Sequence, residues 1–176
     1  MTRLEALTGS HDRNNFDCGV AALNRWLREQ AGQHERRGLA RTLVLVPAGL
    51  VEVESFCRVG YADVTQHTVL GFYALSSAQV VRRELPPAAA RRLPEQIPVT
   101  RLGRLAIRQD LQGQGLGRIL LADAVLRAHQ AAQTVASAGL FVDAKDPGAV
   151  AFYRQYGFIP CADDPQKLFL PMPLKL

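Results

Sequence analysis

Between an apolar run that ends at Ile107 and an amphipathic run that begins at Arg118 stand six residues, Gln112-Gly113-Gln114-Gly115-Leu116-Gly117. Glycines without a Cβ let successive backbone N–H groups converge on one anion, and a following helix adds the positive end of its dipole. The string therefore reads as a phosphate cradle. Two well-defined phosphate loops do not fit it. A nucleotide-hydrolysing P-loop needs four residues between its glycines and then Lys followed by Ser or Thr, and the chain has no such run. A dinucleotide fingerprint needs its third glycine at position 118, where Arg118 stands. What is left is Gln112-x-x-Gly115-x-Gly117 behind the strand-like Leu102-Gly103-Arg104-Leu105-Ala106-Ile107. By itself this spacing is also that of an ordinary tight strand-to-helix connection.

A second string able to do chemistry is Ala151-Phe152-Tyr153-Arg154-Gln155-Tyr156-Gly157-Phe158. A phenol with a pKa near about 10 is protonated at neutral pH and can act as a general acid. Tyr153 is either such an acid or an aromatic packed with Val150 and Phe152; for Tyr156 packing is the readier reading. A general base has no obvious place. His34, His67 and His129 stand alone, and Glu52, Glu54 and Asp143 are isolated carboxylates. An amine beside an ester carbonyl is less basic than a lysine ammonium and is partly neutral near pH 7 without help, so a site lacking a base suits that kind of amine.

The elements that would position these strings follow from periodicity and punctuation. A helix opens near Phe16-Asp17, with Asp17 as cap, carries Val20, Leu23, Leu27 and Ala31 at helical spacing, and stops at Gly38. Thr42 to Val46 and Val69 to Leu75 read as strands, while Val51 to Tyr61 is ambiguous. Arg82 to Pro98 is a basic, proline-punctuated connection with a helical turn at Ala88 to Ala90. From Val99 the order becomes strand to Ile107, glycine loop, helix from Gly115 to His129 and strand from Gly139 to Asp143, which implies a parallel strand pair. Asp146 caps a further helix with Pro147 in its first turn and Gly157 at its end. Phe158-Ile159 and Leu168 to Leu170 close the chain as strands about the turn Asp163-Asp164-Pro165. These elements make an α/β fold.

At 176 residues the chain fits one domain able to bury its own core. No apolar stretch approaches the roughly 18 to 20 residues needed to span a bilayer, and Met1-Thr2-Arg3-Leu4-Glu5 does not open a secretory signal. A soluble, cytoplasmic protein without a membrane partner is expected. The three cysteines, Cys18, Cys57 and Cys161, match neither a disulfide framework nor a zinc site and read as small buried residues, so no metal is assigned. The net charge is +5, carried largely by arginine pairs: Arg36-Arg37, Arg82-Arg83 and Arg91-Arg92. Paired guanidiniums hold phosphates well, although a solvated basic surface looks the same in sequence.

The glycine loop and the tyrosine string, in this order, resemble the acyl-CoA-binding signature and the closing A-x-x-F-Y-x-x-x-G-F string of the GNAT N-acetyltransferases, from about Val99 to Ile159. The resemblance implies a GNAT fold over residues 1–176: a central, mixed but mostly antiparallel sheet flanked by helices, with a parallel strand pair splayed around the acetyl-CoA site. It implies that Gln112, Gly113, Gln114, Gly115, Leu116, Gly117 and Arg118 take the CoA pyrophosphate. Arg118 reads equally as a solvated first-turn arginine. It further implies that the backbone of Leu105, Ala106 and Ile107 pairs with the pantetheine arm and polarises the acetyl carbonyl, and that Tyr153 is the general acid.

Over most of the chain the likeness is narrower. Phe16-Asp17-Cys18-Gly19 leading into Leu23-Asn24-Arg25-Trp26-Leu27, then Ala40-Arg41-Thr42, Leu70 to Leu75, Arg91 to Val99 and Arg104-Leu105-Ala106 resemble the GNAT toxins of bacterial toxin–antitoxin pairs. That family implies acetylation of the α-amine of aminoacyl-tRNA, arrest of translation, a ribbon-helix-helix antitoxin as partner, and a homodimer. Arg91 and Arg92 match the basic pair of its pattern; Arg36, Arg37, Arg82 and Arg83 are added as further tRNA-binding residues on charge alone. Val51 to Gln66 departs from the pattern. The alternative acceptors are a small-molecule amine or a protein N-terminus, and a CoA-binding module without turnover is a third reading.

Overall fold

The computed structural model describes residues 1–172. Its strands are β1 (Thr2–Ala6), β2 (Arg41–Pro47), β3 (Gly71–Val81), β4 (Gln96–Ile107), β5 (Gly139–Asp143), β6 (Ile159–Pro160) and β7 (Lys167–Pro171). Its α-helices are α1 (Ala21–Arg25), α2 (Ala31–Arg36), α3 (Leu50–Arg58), α4 (Pro87–Ala90), α5 (Leu116–Ala132) and α6 (Pro147–Gln155). The strands form one sheet in the order β1-β2-β3-β4-β5-β7-β6. β1–β2, β5–β7 and β6–β7 are antiparallel, and β4–β5 is parallel as the strand-helix-strand order implies. The β4–β5 ladder pairs only Thr100, Arg101 and Leu102 with Leu140, Phe141 and Val142, so the end of β4 runs on past its parallel neighbour.

The chain groups into two compact units. One comprises Met1–Ala74 with Arg104–Ala122, the other Leu75–Gly103 with the chain from Asp123 onward. The first unit buries Trp26, Leu27 and Ala31 against Val44 and Val46 of β2, Phe72 and Ala74 of β3 and Ala106 of β4. Gly71 admits β4 closely: a Cβ there would meet the Ala106 carbonyl at 2.9 Å. Its helical segment begins later than Phe16. Val20 precedes α1 without a side-chain cap, and the Asp17 carboxylate accepts instead from the Gly19 amide and the Asn24 side chain, both at 2.8 Å. Gly19, at φ 82, turns the chain before any helix can start, which is why Asp17 caps a loop and no helix. Between α1 and α2 the segment Trp26–Gln30 winds as a π-helix. Helix α2 ends as expected before Gly38, whose φ of 68 completes the cap in which Leu39 N–H reaches the His34 carbonyl at 2.9 Å.

The ambiguous Val51 to Tyr61 stretch is largely helix α3, which leaves Cys57 exposed. Cys57 is therefore not the buried residue expected, because α3 buries none of its side chains completely; Cys18 and Cys161 are buried. In the second unit Ile97, Val99, Phe141, Cys161 and Phe169 share a core. Here α6 has its expected ends: the Asp146 carboxylate accepts from the Ala149 amide at 2.8 Å, and Gly157 at φ 89 lets the Phe158 amide close on the Tyr153 carbonyl. No helix among the described residues is long and apolar enough to cross a membrane.

Candidate active site

The glycine loop lies in the first unit, between a single 3₁₀ turn at Gln109–Leu111 and the start of α5. Gly113 and Gly115 adopt φ 78 and 83, a region that L residues avoid, and a Cβ on either would meet nothing within 4 Å. Conformation, not lack of room, selects glycine here. The amides of Gly113, Gln114 and Gly115 find no acceptor among the described residues. They are exposed donors at the entry to a seventeen-residue helix, the arrangement that holds a pyrophosphate. Arg118, exposed in the first turn of α5, adds a cation there.

Residues outside the string hold the loop in shape. Gln112 Nε2 donates to the Ile107 and Cys18 carbonyls, each at 3.0 Å, so its side chain ties the loop to the end of β4 and to the Asp17–Gly19 turn. The Asp17 carbonyl accepts from the Gln109 amide at 2.8 Å. Asn24 links the same turn to α1, accepting from the Cys18 amide at 2.9 Å. Hydrogen bonds from Gly19 first, and then from Asn24, hold the Asp17 carboxyl below its ordinary range. Gln114 Nε2 donates to the Tyr61 hydroxyl at 3.2 Å, and that hydroxyl donates to the Asp110 carbonyl at 3.2 Å. Arg108 pairs with Asp63 at 2.9 Å and Asp110 at 2.8 Å. Burial acts against its charge, but these hydrogen bonds outweigh it and raise its pKa. The end of the unaligned Val51 to Gln66 stretch thus buttresses the loop.

Leu105 is half-buried, and Ala106 and Ile107 are buried at the end of β4. Arg104, just before them, stacks over the Trp26 indole with its guanidinium carbon 4.1 Å from the ring centroid, a contact worth about 1 kcal/mol. Burial lowers the Arg104 pKa from the ordinary guanidinium value. Trp26 meets the edge of His34 on another side, with 5.6 Å between ring centroids. Neither Arg104 nor Trp26 was singled out for a role by the strings alone, although an arginine two residues from Leu102 and two from Ala106 in an apolar strand is a signal that can be read.

Tyr153 lies in the second unit on α6, 6% exposed, its ring 5.2 Å from Phe152 and 5.4 Å from Phe158. The core-packing reading is thus correct for its ring. Its hydroxyl makes no hydrogen bond among the described residues, yet it is not among the side-chain atoms sealed off without a partner, which there are Trp26 Nε1 and Thr42 Oγ1. Burial pushes its pKa above the ordinary phenol value, so the neutral acid is the form present at pH 7. Tyr156 is half-buried against Phe152.

The arginine pairs fall in both units. Arg36 closes α2 and Arg37 follows it, both exposed. Arg82 and Arg83 form a 3₁₀ turn before α4, and Arg91 and Arg92 follow α4, all exposed. Arg82 is partly engaged, donating to the Leu93 carbonyl at 3.1 Å and pairing with Glu95 at 3.6 Å. Arg92 is the non-glycine residue with a positive φ, 65, among those described. The fourth histidine, His11, is buried, with Nε2 2.8 Å from Glu5 and Nδ1 accepting from the Thr8 amide at 2.9 Å, a structural role.

A free-amide loop feeding a helix and a β4 that outruns its parallel partner are features that suit an acyl-CoA-dependent acetyltransferase, and a buried tyrosine on α6 of the second unit suits an acid. The model of the acetyltransferase (GNAT) domain matches residues 76–176, and the chain belongs to that family. Within it, a tRNA-acetylating toxin of Mycobacterium tuberculosis (strain ATCC 25618 / H37Rv) is 33% identical over 166 residues, covering 94% of this chain and 89% of the relative. The structure of AtaT complexed with acetyl-methionyl-tRNAfMet superposes with a TM-score of 0.82 at 32% identity, covering 97% of this chain and 95% of that one. A tyrosine-to-phenylalanine mutant of AtaT bound to the C-terminus of the antitoxin AtaR and acetyl-CoA has a TM-score of 0.73 at 32% identity, covering 98% and 94%.

Proposed function

We propose that this protein is a toxin-type N-acetyltransferase that moves acetyl from acetyl-CoA to the α-amine of aminoacyl-tRNA and so stops translation. The observation that carries this reading is likeness over 94% of the chain to a protein named for acetylating tRNA, in a chain whose glycine cradle and Tyr153 are intact. Residues 1–176 work as one catalytic domain in this reading. The amides of Gly113, Gln114 and Gly115, with Gln112, Leu116, Gly117 and Arg118 around them, hold the CoA pyrophosphate; they fit it because they belong to exposed residues and have no acceptor among the described residues. The backbone of Leu105, Ala106 and Ile107 aligns the thioester and polarises its carbonyl. Acetyl-CoA supplies an acyl group on a good leaving thiol. The amine attacks without a protein base, since the neighbouring ester keeps it partly neutral. Tyr153, neutral because it is buried, gives its proton to the departing thiolate, and the proton that the amine sheds on becoming an amide passes through solvent and restores the Tyr153 hydroxyl.

Arg91 and Arg92, with Arg36, Arg37, Arg82 and Arg83, hold the tRNA backbone. The partners in this reading are a small ribbon-helix-helix antitoxin and a second copy of the chain, and the compartment is the cytoplasm. Labelled acetyl should appear on charged tRNA, and Tyr153→Phe should lower kcat by about 10²- to 10⁴-fold while leaving the KM for acetyl-CoA unchanged. Normal turnover in that variant would remove Tyr153 from its role. Preference for a small amine or a peptide N-terminus over charged tRNA at physiological salt would move the acceptor to that class.

A further inference from the structure

Two half-buried arginines of the first unit differ in one respect. Arg108 is met by Asp63 and Asp110. Arg104 is met by no carboxylate and no hydrogen-bond acceptor among the described residues; its one contact of this kind is the face of Trp26. Removing a cation from water without a counter-charge is unfavourable, and an arginine with only a packing role would carry its head out to solvent. Stacking on an indole fixes the guanidinium plane and leaves its in-plane N–H donors free for a bidentate acceptor. Arg104 is thus an oriented guanidinium with no protein acceptor among the described residues.

Its place on β4 says which anion. The β4–β5 ladder ends at Leu102, and Gly103 has no side chain, so Arg104 is the first side chain beyond that ladder. It immediately precedes Leu105, Ala106 and Ile107, the stretch assigned above to the reacting carbonyl. In a charged tRNA the anion closest by covalent bonds to the reacting amine is the phosphodiester between the last two nucleotides, one ribose away from the aminoacyl ester. We propose that Arg104, held on Trp26, binds that terminal phosphodiester and so sets the aminoacyl group against the thioester. This inference rests on aminoacyl-tRNA being the acceptor.

The test compares wild type with Arg104→Gln on two acceptors: charged tRNA, and an aminoacyl ester of adenosine, which has the same amine and ribose but no phosphate. Arg104→Gln should raise the KM for charged tRNA by about tenfold to a hundredfold, the range for loss of charge-assisted hydrogen bonds. Transfer to the adenosine ester and the KM for acetyl-CoA should stay within about twofold. Replacing the terminal phosphodiester of the charged tRNA by an uncharged methylphosphonate should weaken wild type by a similar factor and weaken Arg104→Gln no further, as a direct contact requires. Equal loss on both acceptors would reduce Arg104 to a packing residue and overturn the proposal. So would a methylphosphonate without effect on wild type, a result that needs no variant and decides the matter should Arg104→Gln not fold. Absence of wild-type transfer to any charged tRNA would instead overturn the acceptor assignment and this subsite with it.

Discussion

Tyr153 shows how one side chain can satisfy two readings. Its ring packs between Phe152 and Phe158, while its hydroxyl lacks a partner among the described residues. Burial raises the folded-state pKa above the unfolded value of about 10. Stability from burying the neutral phenol is therefore complete below that unfolded value and is lost as pH climbs past it toward the folded one. Tyr153 should stay protonated through pH 9, so the kcat profile should show no alkaline loss due to it there. An ultraviolet difference titration of wild type against Tyr153→Phe should place the missing phenol later than an ordinary tyrosine. A difference signal centred near the ordinary value would contradict this. The residue type and its string were legible in the sequence; the apolar cage that keeps it neutral was not, since Phe158 reaches it only after Gly157 reverses the chain.

The glycine loop is an element whose residues were assigned by spacing and whose shape is set from elsewhere. The positive φ of Gly113 and Gly115 belongs to the string itself. The tether does not: Gln112 reaches back ninety-four residues to the Cys18 carbonyl, and Asp17 and Asn24 fix the turn that presents it. Gln112→Ala should destabilise the protein by about 1–3 kcal/mol, as expected when two carbonyls lose a half-buried donor. It should also raise the KM for acetyl-CoA severalfold with the KM for charged tRNA unchanged. Thermal melts and initial rates on both substrates check this; an unchanged acetyl-CoA KM would mean that the loop keeps its shape without the tether. The misplaced helix start has a nearer cause. Asp17 has the side chain of an N-cap, but Gly19 at φ 82 turns the chain behind it, and the carboxylate accepts from Gly19 and Asn24 instead. Where no such turn intervenes, as at Asp146, Pro147 and Gly157, the local signals placed α6 correctly.

For the whole molecule the quantity that matters is charge. A net +5 with arginines at the surface of both units attracts a polyanion, and binding to phosphates releases counterions. The KM for charged tRNA should therefore rise steeply, with a linear log–log dependence, between about 50 and 200 mM salt, whereas the KM for an aminoacyl ester without phosphates should stay nearly flat. Parallel salt series on the two acceptors measure this, and equal slopes would remove the arginine pairs from tRNA binding. Sequence by itself determined the family and the order of the elements, and it supplied the residues proposed for the CoA loop and the acid, because each rests on short-range features: glycine conformation, capping, period and a phenol's intrinsic acidity. Only the tertiary structure decided that Gln112 is a tether, that the Tyr61 to Asp63 segment props the loop, and that Arg104 lies on Trp26 with no carboxylate partner among the described residues. Those facts depend on contacts between residues far apart in the chain, and a side chain's partners, unlike its chemistry, exist only once the chain has folded.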